Sequence, residues 1–234
     1  MSYEAVLFDN DGVLVEPVGR AVLRRATWEA FDALGVSDPD PDDVERVSIG
    51  VTPDLLTSVC RAYDLDPARF WRARDYHSSH AQRVELRAGR AALYDDFDAI
   101  RRIDAPRGIV SSNQQDTVEF MHDFFETRDL FETAYGRDPT IRSLERKKPE
   151  PYYLRRALSD LDADAALFVG DSESDVMAAR AAGLDAAFVR RPHRESYDLS
   201  VDPTYELDGL ADLLALDGVP TVSSPRASER ERAK

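Results

Sequence analysis

The chain has 234 residues, 43% of them hydrophobic, with 45 acidic against 30 basic side chains and a formal net charge of −15. That length suits one large α/β domain or a domain with a smaller insert, and that charge excludes nucleic acid as a partner, because a phosphate backbone needs a basic face. The single cysteine, Cys60, rules out an intrachain disulfide and a multi-cysteine zinc site, and the first residues show neither a basic leader nor a long apolar segment, so a cytoplasmic protein without a membrane span is expected.

The first element is an apolar strand within Ala5 to Val15, AVLFDNDGVLV, which delivers Asp9 and Asp11 to its end before Gly12 turns the chain. Residues two apart in an extended backbone face the same side, so both carboxylates converge on one point. Crowded carboxylates call for a shared proton or a bound cation. Helical spacing follows over Val18 to Leu34, ended by Gly35, and then roughly over Pro41 to Val47, Pro53 to Tyr63 and Pro67 to Leu86. Residues 17 to 86 thus read as an all-helical unit inserted into an α/β domain. Within it Trp28, Phe31, Phe70 and Trp71 are expected to form a core, Cys60 to be a small buried residue, and His77 and His80 to lie on a solvated face.

From Gly89 on, helices alternate with short strands. Helix Gly89 to Ile103 precedes strand Arg107 to Val110; helix Gln114 to Phe125 precedes a strand near Thr133 to Tyr135. Helix Pro149 to Leu158 precedes strand Ala165 to Val169, helix Ser174 to Ala182 precedes strand Asp185 to Val189, and a closing helix is expected at Leu207 to Leu216. Residues 220 to 234, rich in Ser, Pro, Arg and Glu, read as a solvated tail. Such alternation predicts a mainly parallel, Rossmann-like sheet with helices on both faces and a ligand site at the carboxyl ends of its strands.

Three further polar clusters fall at element ends: Ser111-Ser112-Asn113, Lys147-Lys148-Pro149-Glu150-Pro151, and Gly170-Asp171-Ser172-Glu173-Ser174-Asp175. With Asp9-Asn10-Asp11-Gly12-Val13 they resemble, in order, the four motifs of the haloacid dehalogenase superfamily, and the resemblance extends from about Tyr3 to about Val189. It implies an α/β core over 1–16 and 87–219, with 17–86 as a helical cap inserted between motifs one and two. It also implies a magnesium-dependent phosphatase acting on a small phosphorylated metabolite, as a monomer or homodimer. Asp9 would be the nucleophile and Asp11 the acid and base. Magnesium would be held by Asp9, the Asp11 carbonyl, Asp171 and, directly or through water, Asp175. Ser111 and Lys148 would grip the transferring phosphoryl group, with Ser112 and Lys147 as their nearest rivals and the N–H groups of Asn10 and Ser112 as further donors. The segment Ser48 to Thr52 resembles a substrate-specificity loop, with Gly50 and Thr52 as candidate substrate contacts.

Asp11 argues for phosphoryl transfer over dehalogenation, since dehalogenases of the superfamily lack that second aspartate. No lysine lies between residues 13 and 88, which closes the Schiff-base route of phosphonoacetaldehyde hydrolases. The β-phosphoglucomutase branch shares the cap class, but its characteristic histidine corresponds here to Ala21, and Glu16-Pro17 replaces its usual hinge. A mutase and a noncatalytic phospho-ligand binder stand as alternatives; a pure binder would need neither nucleophile nor proton shuttle.

Of the 30 basic residues only Lys147, Lys148 and Lys234 are lysine, leaving 27 arginines. So acidic and lysine-poor a surface suggests adaptation to high salt, where screening relieves self-repulsion. The melting temperature and the activity are expected to rise from low salt to molar potassium chloride; equal values at both would refute the adaptation.

Overall fold

The computed structural model describes residues 2–222. Six strands form one parallel sheet in the order β3-β2-β1-β4-β5-β6: β1 (Ala5–Phe8), β2 (Arg107–Gln114), β3 (Thr133–Arg137), β4 (Ala166–Gly170), β5 (Asp185–Val189) and β6 (Tyr205–Leu207). Every residue of β1 and β4 is buried, as expected of central strands covered on both faces. The period of two sorts their side chains between two cores. Val6, Phe8, Leu167 and Val169 pack on one face, whereas Ala5, Leu7, Ala166 and Phe168 pack on the other with Leu154 and Phe188. The chain winds from β1 outward to β2 and β3, then returns to β4 on the other side of β1. The order therefore reverses between β1 and β4, and the crevice there is where such sheets bind ligands.

Four helices lie between β1 and β2 in the chain: α1 (Arg20–Asp32), α2 (Pro41–Arg46), α3 (Pro53–Ala62) and α4 (Pro67–Arg87). The last three start alike. Asp40, Thr52 and Asp66 each accept a backbone N–H of the first turn, and a proline follows at the first helical position, where its missing N–H costs nothing. Phe31, Phe70, Trp71 and Cys60 fill a separate core for this insert, with Trp28 packed against it. Each large side chain so buried contributes about 1.5–3 kcal/mol. That core continues onto Leu144 of the short helix α6 (Ile141–Leu144), which the periodicity does not reveal. The remaining helices are α5 (Gln115–Phe124), α7 (Tyr152–Asp160) and α8 (Glu173–Ala182). No described helix is long and apolar enough to cross a membrane.

Three expectations need correction. Residues 89–103 are not one helix: Gly89 takes a left-handed φ of 67°, Leu93 bridges to Val15, and only Phe97–Arg102 coils, as a 3-10 helix. Backbone groups of Leu14 and Glu16 bond to this segment, so tertiary pairing overrides its helical spacing. The closing helix is instead strand β6 followed by a 3-10 helix over Leu210–Ala215. The expected tail begins inside the fold, where Thr221 bridges to Ile103; its residues from 223 on lie outside the described residues.

The insert meets the sheet through a polar joint. Asp75, buried on α4, receives both terminal nitrogens of Arg137 at 2.7 and 2.6 Å, and Gln114 Nε2 at 3.1 Å. The guanidinium groups of Arg137 and Arg74 lie 4.6 and 5.0 Å from the centroid of the Trp71 ring. Arg137→Ala would leave the buried Asp75 charge to Arg74, whose Nη1 lies at 3.2 Å, and a loss of up to about 3–5 kcal/mol in chemical denaturation is expected. The double variant with Asp75→Ala should lose less than the sum of the two singles; strict additivity would show that the pair is not coupled.

Candidate active site

The end of β1 projects Asp9 into the crevice, and its amide donates to the Val169 carbonyl of β4 at 2.8 Å. Gly12, at φ 90°, turns the chain back, so that the N–H groups of Val13, Leu14 and Val15 all reach the Asn10 carbonyl. A side chain at Gly12 would overlap the Asp171 carboxylate, and one at Gly170 would overlap Asp175. These glycines let the ends of β1 and β4 and the first turn of α8 converge.

Lys148 Nζ stands 2.7 Å from Asp9 Oδ1 and 2.5 Å from Asp175 Oδ1. Asp9 Oδ1 also accepts the Asn10 N–H at 2.7 Å. The other oxygen of Asp175 closes the start of α8, accepting from the amides of Asp171 and Ser172 and from the Ser172 hydroxyl at 2.6 Å. Asp171 Oδ2 accepts from His193 Nε2 at 2.7 Å and Arg194 Nε at 2.9 Å.

Burial drives the Asp9 carboxyl well above its ordinary pKa; Lys148 opposes this, and the charges of Asp175 and Asp171 add to it. Burial also raises Asp11, against hydrogen bonds from Asn10 and Asn113. Lys148 is raised although burial opposes it, because two carboxylates face it. Burial pushes Asp171 up too, but His193 and Arg194 outweigh it and hold the group below the usual carboxylate range.

Carboxylate oxygens of the buried Asp9, Asp171 and Asp175 lie within 4.8 Å of one another. Such an all-oxygen, anionic donor set fits a hard divalent cation such as magnesium, and the crowding that raises Asp9 is what a cation would relieve. The side chain of Asp11 lies outside this group. It faces Ser111 Oγ at 3.3 Å and Asn113 Nδ2 at 3.1 and 3.2 Å.

Several other candidates have partners of their own in the fold. The side chain of Asn10 is buried behind the loop, and its N–H is spent on Asp9. Ser112 gives its carbonyl to Arg137. Gly50 and Thr52 are exposed, Thr52 capping α3, and among the described residues no hydrogen bond joins either to the carboxylates. Lys147 turns away from Asp9 and donates to the Val51 carbonyl at 2.7 Å, with burial and the charges of Arg137 and Arg74 pushing it down to about 8. Sequence reasoning missed Asn113, Gln82, His122, His193 and Arg194. Gln82 of α4 accepts from Asn113 at 2.7 Å and so links the insert to Asp11. Signals existed for Asn113, which lies in the polar cluster after a predicted strand, and for His193 and Arg194, in a basic run at the carboxyl end of another.

His122 sits 2.9 Å from Asn10 Oδ1, and burial with the nearby Arg128 charge pushes its pKa from 6.5 down to about 4. The native state therefore binds fewer protons than the unfolded chain between those values. Its contribution to stability is complete above about 6.5 and is lost as the pH falls toward 4, by roughly 3 kcal/mol. The unfolding free energy of His122→Gln should vary less over that range by this amount, and an imidazole resonance of His122 titrating near 6.5 would refute the assignment.

A family model described as haloacid dehalogenase-like hydrolase matches residues 6–189. The pyrophosphatase PpaX of Bacillus cereus is 30% identical over 233 residues, covering 92% of this chain and 97% of that protein. A match to PpaX of Bacillus velezensis, 31% identical over 144 residues, covers 60% of this chain and 65% of that protein. CbbY of Rhodobacter sphaeroides, solved with phosphate, superposes with a TM-score of 0.69 at 25% identity, covering 93% of this chain and 99% of that one. With a matched model spanning all four motif clusters and the two aspartates after β1 in place, the chain belongs to the haloacid dehalogenase-like hydrolase family, in its phosphatase branch.

Proposed function

We propose that the protein is a magnesium-dependent phosphatase that hydrolyses a small phosphomonoester through a phosphorylated Asp9. The observation that carries this reading is Asp9 itself, a buried carboxylate at a strand end, bonded to Lys148 and flanked by a second carboxyl two residues on. The names of PpaX and CbbY, a pyrophosphatase and a protein that binds phosphate, support phosphate chemistry. Residues 17–86 serve as the cap that selects the substrate, and the acidic, lysine-poor surface suits a salty cytoplasm.

In this mechanism Asp9 attacks phosphorus in line, forming the aspartyl-phosphate as the bond to the leaving oxygen breaks. Asp11 gives its proton to that oxygen; its raised pKa keeps the proton available. It then takes a proton from the water that attacks the aspartyl-phosphate, which restores Asp9 and releases inorganic phosphate. Lys148 balances the charge that builds on Asp9 and the phosphoryl oxygens, while Asp175 fixes the ammonium in place. Ser111, whose hydroxyl reaches Asp11 at 3.3 Å, would donate to the transferring phosphoryl group. Asp9, Asp171 and Asp175, with the Asp11 carbonyl, would hold the magnesium, which supplies neutralising charge to the phosphate when bound.

Phosphate release should be measured over a panel that includes pyrophosphate, phosphoglycolate and sugar phosphates, with and without magnesium, at high salt. The parent should release phosphate and Asp9→Asn should not, whereas Asp11→Asn should slow turnover by about 10² to 10⁴-fold. No release from any ester would overturn the enzymatic reading, and unchanged turnover in Asp11→Asn would refute the acid-base role. Saturating magnesium should raise the parent's melting temperature, equivalent to about 2.7 kcal/mol at a hundred times Kd, and Asp171→Ala should lose that gain.

A further inference from the structure

Behind the catalytic loop, away from the crevice, a buried hydrogen-bond chain ends on Asp11. Thr127 Oγ lies 2.8 Å from His122 Nδ1, His122 Nε2 lies 2.9 Å from Asn10 Oδ1, and Asn10 Nδ2 lies 3.3 Å from Asp11 Oδ2. Asn10, Thr127 and His122 are 0%, 1% and 3% exposed, so no water competes for these groups. With Asp11 ionised, as it stands once the leaving oxygen has taken its proton, each link has one workable polarity. A carboxylate accepts and does not donate, so the NH2 end of the Asn10 amide must face Asp11. Its second N–H then meets the Met121 sulfur at 3.0 Å, a weak acceptor. The amide oxygen is left toward His122, whose Nε2 must carry the proton. Nδ1 is then the acceptor, and the Thr127 hydroxyl donates to it. The ring itself is fixed edge-on against Phe131, with centroids 5.2 Å apart.

We propose that His122 is a positioning residue: through its Nε2 proton it sets the amide orientation of Asn10 and thereby aims the carboxyl of Asp11. A flipped amide would turn its oxygen on the Asp11 carboxylate and push that group away from the leaving oxygen. The idea rests on the acid-base role given above to Asp11, since an unaimed Asp11 matters only if it moves protons. Asp11 has other partners in Ser111 and Asn113, so the loss of aim is partial. Because the chain lies outside the crevice, its failure should appear in turnover and not in substrate affinity.

The test uses the full-length protein with magnesium and p-nitrophenyl phosphate. His122→Asn, too short to reach Asn10, should lower kcat by about 10 to 100-fold with KM unchanged within about twofold. His122→Gln, which keeps a donor near the Nε2 position, should recover most of the rate. In an Asn10→Ala background His122→Asn should have no further effect, because the link is already cut. Thr127→Val, a near-isosteric change that removes the donor to Nδ1, gives a second route if His122→Asn does not fold, and should lower kcat with KM intact. Nitrogen-15 shifts of the parent's imidazole should show the Nε2–H neutral form, a readout independent of activity. An Nδ1–H ring, an undiminished effect of His122→Asn in the Asn10→Ala background, or equal losses in His122→Gln and His122→Asn would overturn the proposal. A parent that shows the Nε2–H ring but releases no phosphate would instead fault the phosphatase reading.

Discussion

One ammonium group between two buried carboxylates is the constraint on which the rest of this structure depends. Lys148 lies within 2.7 Å of Asp9 and 2.5 Å of Asp175. Removing such charges from water is costly, and the cost is met only where geometry is good and the remaining lone pairs are satisfied. Backbone meets part of this need: Asn10 donates to Asp9, and the amides of Asp171 and Ser172, just before α8, donate to Asp175. The site is thus assembled from groups that folding has already placed. Lys148 opposes the burial that raises Asp9, and the two carboxylates hold the lysine above its ordinary value against burial of its own.

The sheet explains why these groups meet. Asp9 and Asp171 follow the parallel strands β1 and β4, Ser111 lies in the carboxyl half of the adjacent β2, and the reversal of strand order between β1 and β4 leaves a crevice there. The insert covers it with a face that is polar where a soluble helix is usually apolar. Asp75, Ser78, Ser79 and Gln82 of α4 are all buried, and their partners Gln114, Asn113 and Thr117 lie at the end of β2 and the start of α5. Apolar packing would seal the joint without orienting anything. Hydrogen bonds through Gln82 and Asn113 give the insert a direct hold on the Asp11 carboxylate.

Much of this was legible in the sequence, for identifiable reasons. Strands β1 and β4 announce themselves as short apolar runs that lead into Asp or end on Gly, and β5 as one bounded by Arg190, because both faces of a central parallel strand must be apolar. The proline-started helices of the insert carry their caps one residue earlier, in Asp40, Thr52 and Asp66. What stayed hidden depends on contacts between residues distant in the chain. The spacing of 89–103 suits a helix, but the backbone of Leu14 and Glu16 needs partners and takes them from that segment. Nothing local distinguishes His122 from any histidine late in an amphipathic helix; its role appears only once Asn10, 112 residues away, is seen against it. Gly50 and Thr52 show the opposite case, a local resemblance that this arrangement leaves at the surface.

The alternation in β1 has a consequence for how the chain tolerates changes of length. Val6 and Phe8 serve one core, Ala5 and Leu7 the other, and Asp9 continues the same alternation into the crevice. Deleting a single residue between Tyr3 and Phe8 would exchange the two sets and rotate the carboxylates to the opposite side. Loss of a residue from a surface loop alters one loop, whereas loss of one here would disrupt both cores and the carboxylate pair together. The strand is therefore a segment in which substitutions can be explored one at a time, but in which insertions and deletions are closed to the lineage.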